Sequence, residues 1–207
     1  VLNDQRQVIF NQRKEILNTN EIYEFVNKLL EDEVDQVIKE KNNSLNLEKD
    51  KVLRNKFETL LQNKNENYLN EILSFKQNEI MNAVKEKFND KRKQRTSILT
   101  ETGNNDLEKK IFLQIIDLNW KNHIQYLEQL RQVIGLRSYG QRDPLIEYKK
   151  ESFTLFEKLL EKIRQDTILL LINLKIENTN KKIKQEKKNE VNKKKLVEMN
   201  FAIVAQK

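Results

Sequence analysis

Apolar residues recur along this chain at three- and four-residue steps, the spacing of one helix face. Leu2, Ile9 and Ile16 fall seven apart, and Tyr23, Val26, Leu30, Val34 and Val37 continue the stripe, which predicts helix over 1–40. Within it, Asn18-Thr19-Asn20-Glu21 is a run of capping residues that predicts a kink or restart. The pattern fails around 41–46, where Asn42-Asn43-Ser44 reads as a linker. Two shorter amphipathic segments follow. The first carries Leu45, Val52, Leu53, Phe57, Leu60 and Leu61; the second carries Tyr68, Leu69, Ile72, Leu73, Phe75, Ile80, Val84 and Phe88, with Asn63–Asn67 between them. Lys91-Arg92-Lys93-Gln94-Arg95 reads as a polar basic stretch, and Thr102-Gly103-Asn104-Asn105 as a break. From Asp106, placed as an N-cap, Leu107, Ile111, Ile115, Leu118, Ile124, Leu127, Leu130 and Ile134 form the strongest stripe, ending near Gly135. The next helix is predicted to begin at Asp143-Pro144, with Asp as cap and Pro where its missing N–H costs nothing. Its stripe runs Tyr148, Phe156, Leu159, Leu160, Ile163, Leu170 and Leu174. Because the connection 135–142 is short, these two helices are expected to form an antiparallel hairpin. Beyond Ile176 the pattern is too polar to bury, and disorder or a loose exposed helix is expected there.

Composition sharpens this all-α reading. The 207 residues include one proline and three glycines, too few for many tight turns, and their scarcity suits long helices. Charged residues make up 34% of the chain and apolar residues 37%, a balance that gives each helix one buried stripe and little more. No cysteine is present, which excludes disulfides, thiolate metal sites and a cysteine nucleophile. No apolar run exceeds the five residues of Ile168–Ile172, far short of the roughly 20 that span a bilayer. The opening VLNDQRQ has no signal-peptide design and starts inside a helical pattern, so the chain reads as a cut piece of a longer one, expected to be soluble or to touch membranes only from the side. Charge is uneven: residues 175–207 hold ten lysines and four glutamates, a surplus of six out of a net charge of +7. Such a tail suits nucleic acid or anionic lipid, and also suits a plain solvated extension.

A search for chemistry finds little. No G-x-x-x-x-G-K-[ST] occurs, and three scattered glycines cannot build a phosphate cradle. His123 is the only histidine and lies three residues after Trp120 on the stripe side of its helix. It reads as a packed or hydrogen-bonded core residue rather than a ligand or base. Phe112, Trp120 and Tyr126 read as core aromatics. The chain by itself is therefore not expected to be an enzyme, nor to hold a cofactor or metal.

Three separated elements carry a resemblance. Leu136-Arg137-Ser138-Tyr139-Gly140-Gln141-Arg142-Asp143-Pro144, followed by Glu147-Tyr148-Lys149 and Glu151-Ser152-Phe153, resembles the two-helix finger of the SecA family of preprotein translocase ATPases. Upstream, Leu118, Trp120 and His123 resemble that family's L-x-W-x-x-H element, with Leu127 and Arg131 continuing the helix. Asn3-Asp4-Gln5-Arg6, with Ile9 and Arg13, resembles the start of its long scaffold helix. The resemblance implies a helical scaffold in two parts, about 1–42 and 104–176, a helical wing at 43–103, and a basic linker at 177–207. It implies coupling rather than catalysis, with ATP and Mg²⁺ bound by motor domains elsewhere in the parent polypeptide. The implied partners are those motor domains, the preprotein chain and the SecY channel, at the cytoplasmic face of the plasma membrane or in the plastid stroma. An anionic membrane surface is a further candidate for the basic tail. The implied finger-tip contacts are Tyr139, Arg137, Gln141 and Arg142; Asn3, Asp4, Gln5, Arg6, Trp120, His123, Asp143 and Pro144 would be structural and coupling residues. Ser138 and Gly140 depart mildly from the usual tip. The family's cysteine-rich zinc tail is missing, so chaperone and lipid binding are not carried over from it. A lysine-rich nucleic-acid- or ribosome-binding protein is the alternative; a coiled coil is disfavoured because no stripe keeps a strict heptad.

Overall fold

A computed structural model of the chain describes residues 1–44, 51–135 and 143–176. The described residues are all-α, with no strand among them: α1 (Leu2–Asn18), α2 (Ile22–Asn43), α3 (Lys51–Leu61), α4 (Glu66–Ser74), α5 (Gln77–Ile134) and α6 (Pro144–Asn173). Val1–Leu174 is one compact body, and a second unit starts at Lys175. No described helix is long and apolar enough to cross a membrane.

Local chemistry accounts for the boundaries. The predicted restart in the first helix is real: α1 ends at Asn18, Thr19 is extended, and α2 opens at Ile22. Asn65 caps α4, its side chain accepting from the backbone N–H of Asn67 and Tyr68. Glu79 reaches back to accept from the Lys76 N–H at 2.7 Å, fixing the start of α5. Asp143 accepts from the Leu145 N–H at 2.8 Å with Pro144 as the first helical residue, as expected.

The buried stripes differ in detail from the periodic reading. On α5 the inward face is Glu108, Ile111, Phe112, Ile115, Ile116, Asn119, His123, Leu127, Leu130 and Ile134. Leu118 points outward at 61% exposure, and Tyr126 and Ile124 are exposed too. Polar side chains occupy inward positions there because each finds a partner: Asn119 on α6, His123 on α1, and Glu108 on the other arm of α5. Tyr23, Val52 and Leu170 are likewise exposed rather than core. Arg92 and Arg95, read as a solvated basic stretch, are respectively half-buried and buried.

The expected break at 102–105 is also displaced. The only non-helical residue within α5 is Thr100, at φ 70° and ψ 168°. The helix restarts at once, the Thr100 hydroxyl accepting from the Gly103 N–H at 3.3 Å, and Asp106 is an ordinary exposed residue of that second arm.

Antiparallel α5 and α6 share the most extensive contact, with α1 and α2 laid along α5. Gln5 meets His123 and Arg13 meets Asp117, so α1 runs antiparallel to the second arm of α5. Along α2, Glu31 meets Lys85 and Gln77 meets Asp35 on the first arm, while Phe25 packs against Phe112 on the second. Gln62 ties α3 to the end of α6, donating to Ile172 O at 3.0 Å.

Candidate functional site

The residues singled out near the N-terminus and in the middle of the chain meet at one buried junction. On α1, Ile9 and Ile16 face the core, and Gln5 lies one turn before Ile9 on the same face. That register buries an amide, at 7% exposure, which then needs partners for both of its ends. Its Nε2 donates to the backbone oxygen of Ser152 on α6, at 3.0 Å. Its Oε1 lies 2.9 Å from His123 Nε2 on α5. Since the amide nitrogen is committed to Ser152, the oxygen faces the ring, and His123 donates from Nε2. One side chain thereby joins three helices.

The ring is held on both sides. Trp120, four-fifths of a turn earlier on α5, stacks with His123 at 5.5 Å between centroids and 29° between planes. Phe156 of α6 approaches at 5.9 Å with a tilt of 55°. At 3% exposure, His123 is desolvated, and burial pushes its pKa below the ordinary 6.5, so the ring is neutral near pH 7. The Ser152 hydroxyl is buried and has no partner among the described residues; the residue contributes its carbonyl. A cleft of about 290 Å³ opens beside the junction, lined by Val1, Asp4, Gln5, Val8, Lys149, Phe153 and Phe156.

This arrangement positions helices. It contains no nucleophile beside a base, and among the described residues no group of three or more acidic or histidine side chains is placed to hold a metal. Asn3, Asp4 and Arg6 are exposed on α1, away from the junction's interior. Asp143 caps α6 and Pro144 is its first residue. Arg137, Tyr139, Gln141 and Arg142 lie outside the described residues. Sequence reasoning missed the polar group Arg92, Arg95, Asn104 and Glu108 between the arms of α5. Its one available signal was a glutamate in helical register with Ile111, Phe112 and Ile115.

Comparison with known proteins bears on the whole arrangement. The family model described as the SecA Wing and Scaffold domain matches residues 1–175. The chain belongs to the SecA wing and scaffold family. It is 46% identical over 198 residues to the protein translocase subunit SecA of Pelagibacter ubique (strain HTCC1062), covering 93% of this chain and 23% of that protein. It is 33% identical over 180 residues to SecA of Caulobacter sp. (strain K31), covering 85% and 20%. SecA of Thermodesulfovibrio yellowstonii is 33% identical over 176 residues, covering 85% and 19%. The chain thus spans about a fifth of the length of the curated relatives it matches. Gln5 draws together the three stretches that carried the resemblance in sequence, Asn3–Arg6, Trp120–His123 and Glu151–Phe153.

Proposed function

We propose that this chain is the coupling part of a protein translocase, linking ATP hydrolysis in motor domains of its parent to movement of a preprotein through the SecY channel. The observation that carries the reading is the Gln5 junction, in which one side chain locks α1 to both helices of the α5–α6 hairpin. A displacement of α1 by an attached motor would be delivered to the hairpin, because packed helices deform little. Tyr139, between those helices in sequence, is the proposed contact with the moving chain, with Arg137, Gln141 and Arg142 beside it. An aromatic ring grips side chains of many kinds, which a motor with varied substrates needs. ATP and Mg²⁺ belong to the motor domains in this reading, and work takes place at the cytoplasmic face of the membrane.

Tyr139→Ala in the full-length parent tests the proposal. Transport of a preprotein into vesicles is expected to slow severalfold while the fold, followed by circular dichroism, stays intact. Transport at the parental rate would remove Tyr139 from the mechanism. Titrating this chain into the motor fragment of the same parent tests the coupling itself: binding with altered ATP hydrolysis is expected, and a well-folded chain that does not bind would overturn the reading.

A further inference from the structure

Thr100 occupies a backbone region that is essentially reserved for glycine, at φ 70° and ψ 168°. A β-branched residue is among the least suited to it. The consequence is a sharp reversal. A straight helix would hold residues 92 and 108 about 24 Å apart, yet the guanidinium of Arg92 and the carboxylate of Glu108 are in contact. The pairing is nearly symmetric about Thr100: Arg95 Nε donates to Asn104 Oδ1 at 3.1 Å, and Arg95 Nη2 to Glu108 Oε1 at 2.8 Å. The two arms of α5 therefore fold back on each other, closed by a cluster in which Arg95 is 2% exposed and Glu108 0%.

Two further contacts extend the cluster. Arg95 Nη1 donates to the Leu171 carbonyl in the last turn of α6, at 2.7 Å. Asn105 accepts from the Ile22 N–H at 3.0 Å and donates to Asn20 O at 2.8 Å, so the break between α1 and α2 is fastened to the corner in α5. Arg92 lies over the ring of Tyr23, 3.9 Å from its centroid. Opposing forces meet here. The Thr100 backbone and two guanidiniums sharing one buried carboxylate favour opening, and burial weakens the hold of Arg92 on its proton. The ion pairs and the Leu171 contact favour closure. No proline stands between residues 92 and 108 to bar a continuous helix.

We propose that the Thr100 corner is a latched joint, with Arg92, Arg95 and Glu108 as the latch and Arg95 carrying its state to the last turn of α6. The joint has two arrangements, closed as described and open with Thr100 relaxed toward helical geometry. It stands on the geometry of α5 and α6 and does not depend on the coupling role proposed above.

The absence of native cysteine makes the test direct. Cysteines introduced at exposed Glu86 and Gln114, fourteen residues either side of Thr100, would carry spin labels on the full chain. A straight helix would set these positions about 42 Å apart. The parent chain is expected to give a short main distance, and Thr100→Gly, which suits the strained conformation, only the short one. Thr100→Ala removes the cap on Gly103 and adds a better helix former; a roughly tenfold shift toward longer distances is expected. Glu108→Gln, which weakens the latch, is expected to shift the same way and to speed amide exchange in 93–104 and in 169–173 together. One short distance in the parent, Thr100→Ala and Glu108→Gln alike would overturn the joint. Faster exchange in 93–104 alone would overturn its link to α6. Should Glu108→Gln unfold by circular dichroism, Thr100→Ala, with the latch intact, still decides.

Discussion

Gln5 closes three helices onto one another because an amide is the smallest side chain that both donates and accepts at fixed separation. Gln5→Leu keeps the volume and removes both bonds, leaving His123 Nε2–H and the Ser152 carbonyl buried without Gln5. A loss of about 1–3 kcal/mol is expected from urea unfolding. Ser152→Ala is the contrast: it deletes a hydroxyl that makes no bond among the described residues and spares the carbonyl Gln5 uses, so stability should change little. Acid acts on the same junction. Burial lowers the pKa of His123 from 6.5, so over the window just below 6.5 the unfolded chain holds more protons than the folded one. The contribution of His123 is complete above 6.5 and is lost as pH falls toward the folded value. Glu33 has the opposite sign, since burial raises its pKa above 4.5, partly offset by Arg164, and acid there favours the fold. Comparing urea midpoints at pH 7 and 5.5 for the parent and His123→Gln isolates the first effect, because Glu33 is common to both. The parent midpoint should fall more than that of the variant; equal falls would mean His123 does not report the junction.

At the scale of elements, the corner in α5 stores strain that a single substitution can relieve. Thr100→Gly permits the observed φ without steric cost, and relief of about 1–3 kcal/mol is partly offset by the extra chain entropy of glycine. A net rise in thermal midpoint is expected, opposite in sign to the usual effect of glycine in a helix. A fall would mean that the backbone at Thr100 is unstrained. This corner also marks where reading the sequence stopped working. Asp143 made the start of α6 legible because a short polar side chain caps it locally; the restart across Asn18–Glu21 was legible too, although the Ile22 N–H is met from a distance by Asn105. Thr100 caps the Gly103 N–H locally, but the reversal of the chain there depends on Arg95, Asn104, Glu108 and Leu171, which hold it from a distance. The same reason hid the inward polar face of α5. Periodicity weighs Leu118 as core and Asn119 as surface, whereas the partner that buries Asn119, Asp166 at 3.0 Å, lies forty-seven residues away. Gln5 and His123 were found through their resemblance to family elements, and His123 through its place on the stripe, but no local pattern foretells that they touch.

At the scale of the whole molecule, several large apolar side chains among the described residues remain outside the core. Phe10 and Leu17 on α1, Leu118, Tyr126 and Val133 on α5, and Ile146 and Phe153 on α6 are all exposed. Such exposed apolar side chains are candidate contact positions for a partner surface. Charge is distributed on a different principle. The described body mixes acidic and basic residues in ion pairs such as Lys56–Glu40 and Arg164–Glu33. The surplus lies in 175–207, with ten lysines against four glutamates. Each lysine near an anionic membrane contributes about 1 kcal/mol, and the attraction decays within about 10 Å at 0.1 M salt. The tail is therefore expected to hold the chain on vesicles containing phosphatidylserine at low salt and to release it as salt rises. Changing Lys181, Lys182, Lys184, Lys187 and Lys188 to glutamine in the full chain should abolish most of that binding and flatten its salt dependence. A single-stranded RNA probe run beside the vesicles separates the two acidic partners a lysine tail can meet. Tight RNA binding with no vesicle binding would make the tail a nucleic-acid element, whereas vesicle binding lost with the five lysines would make it a membrane-surface element.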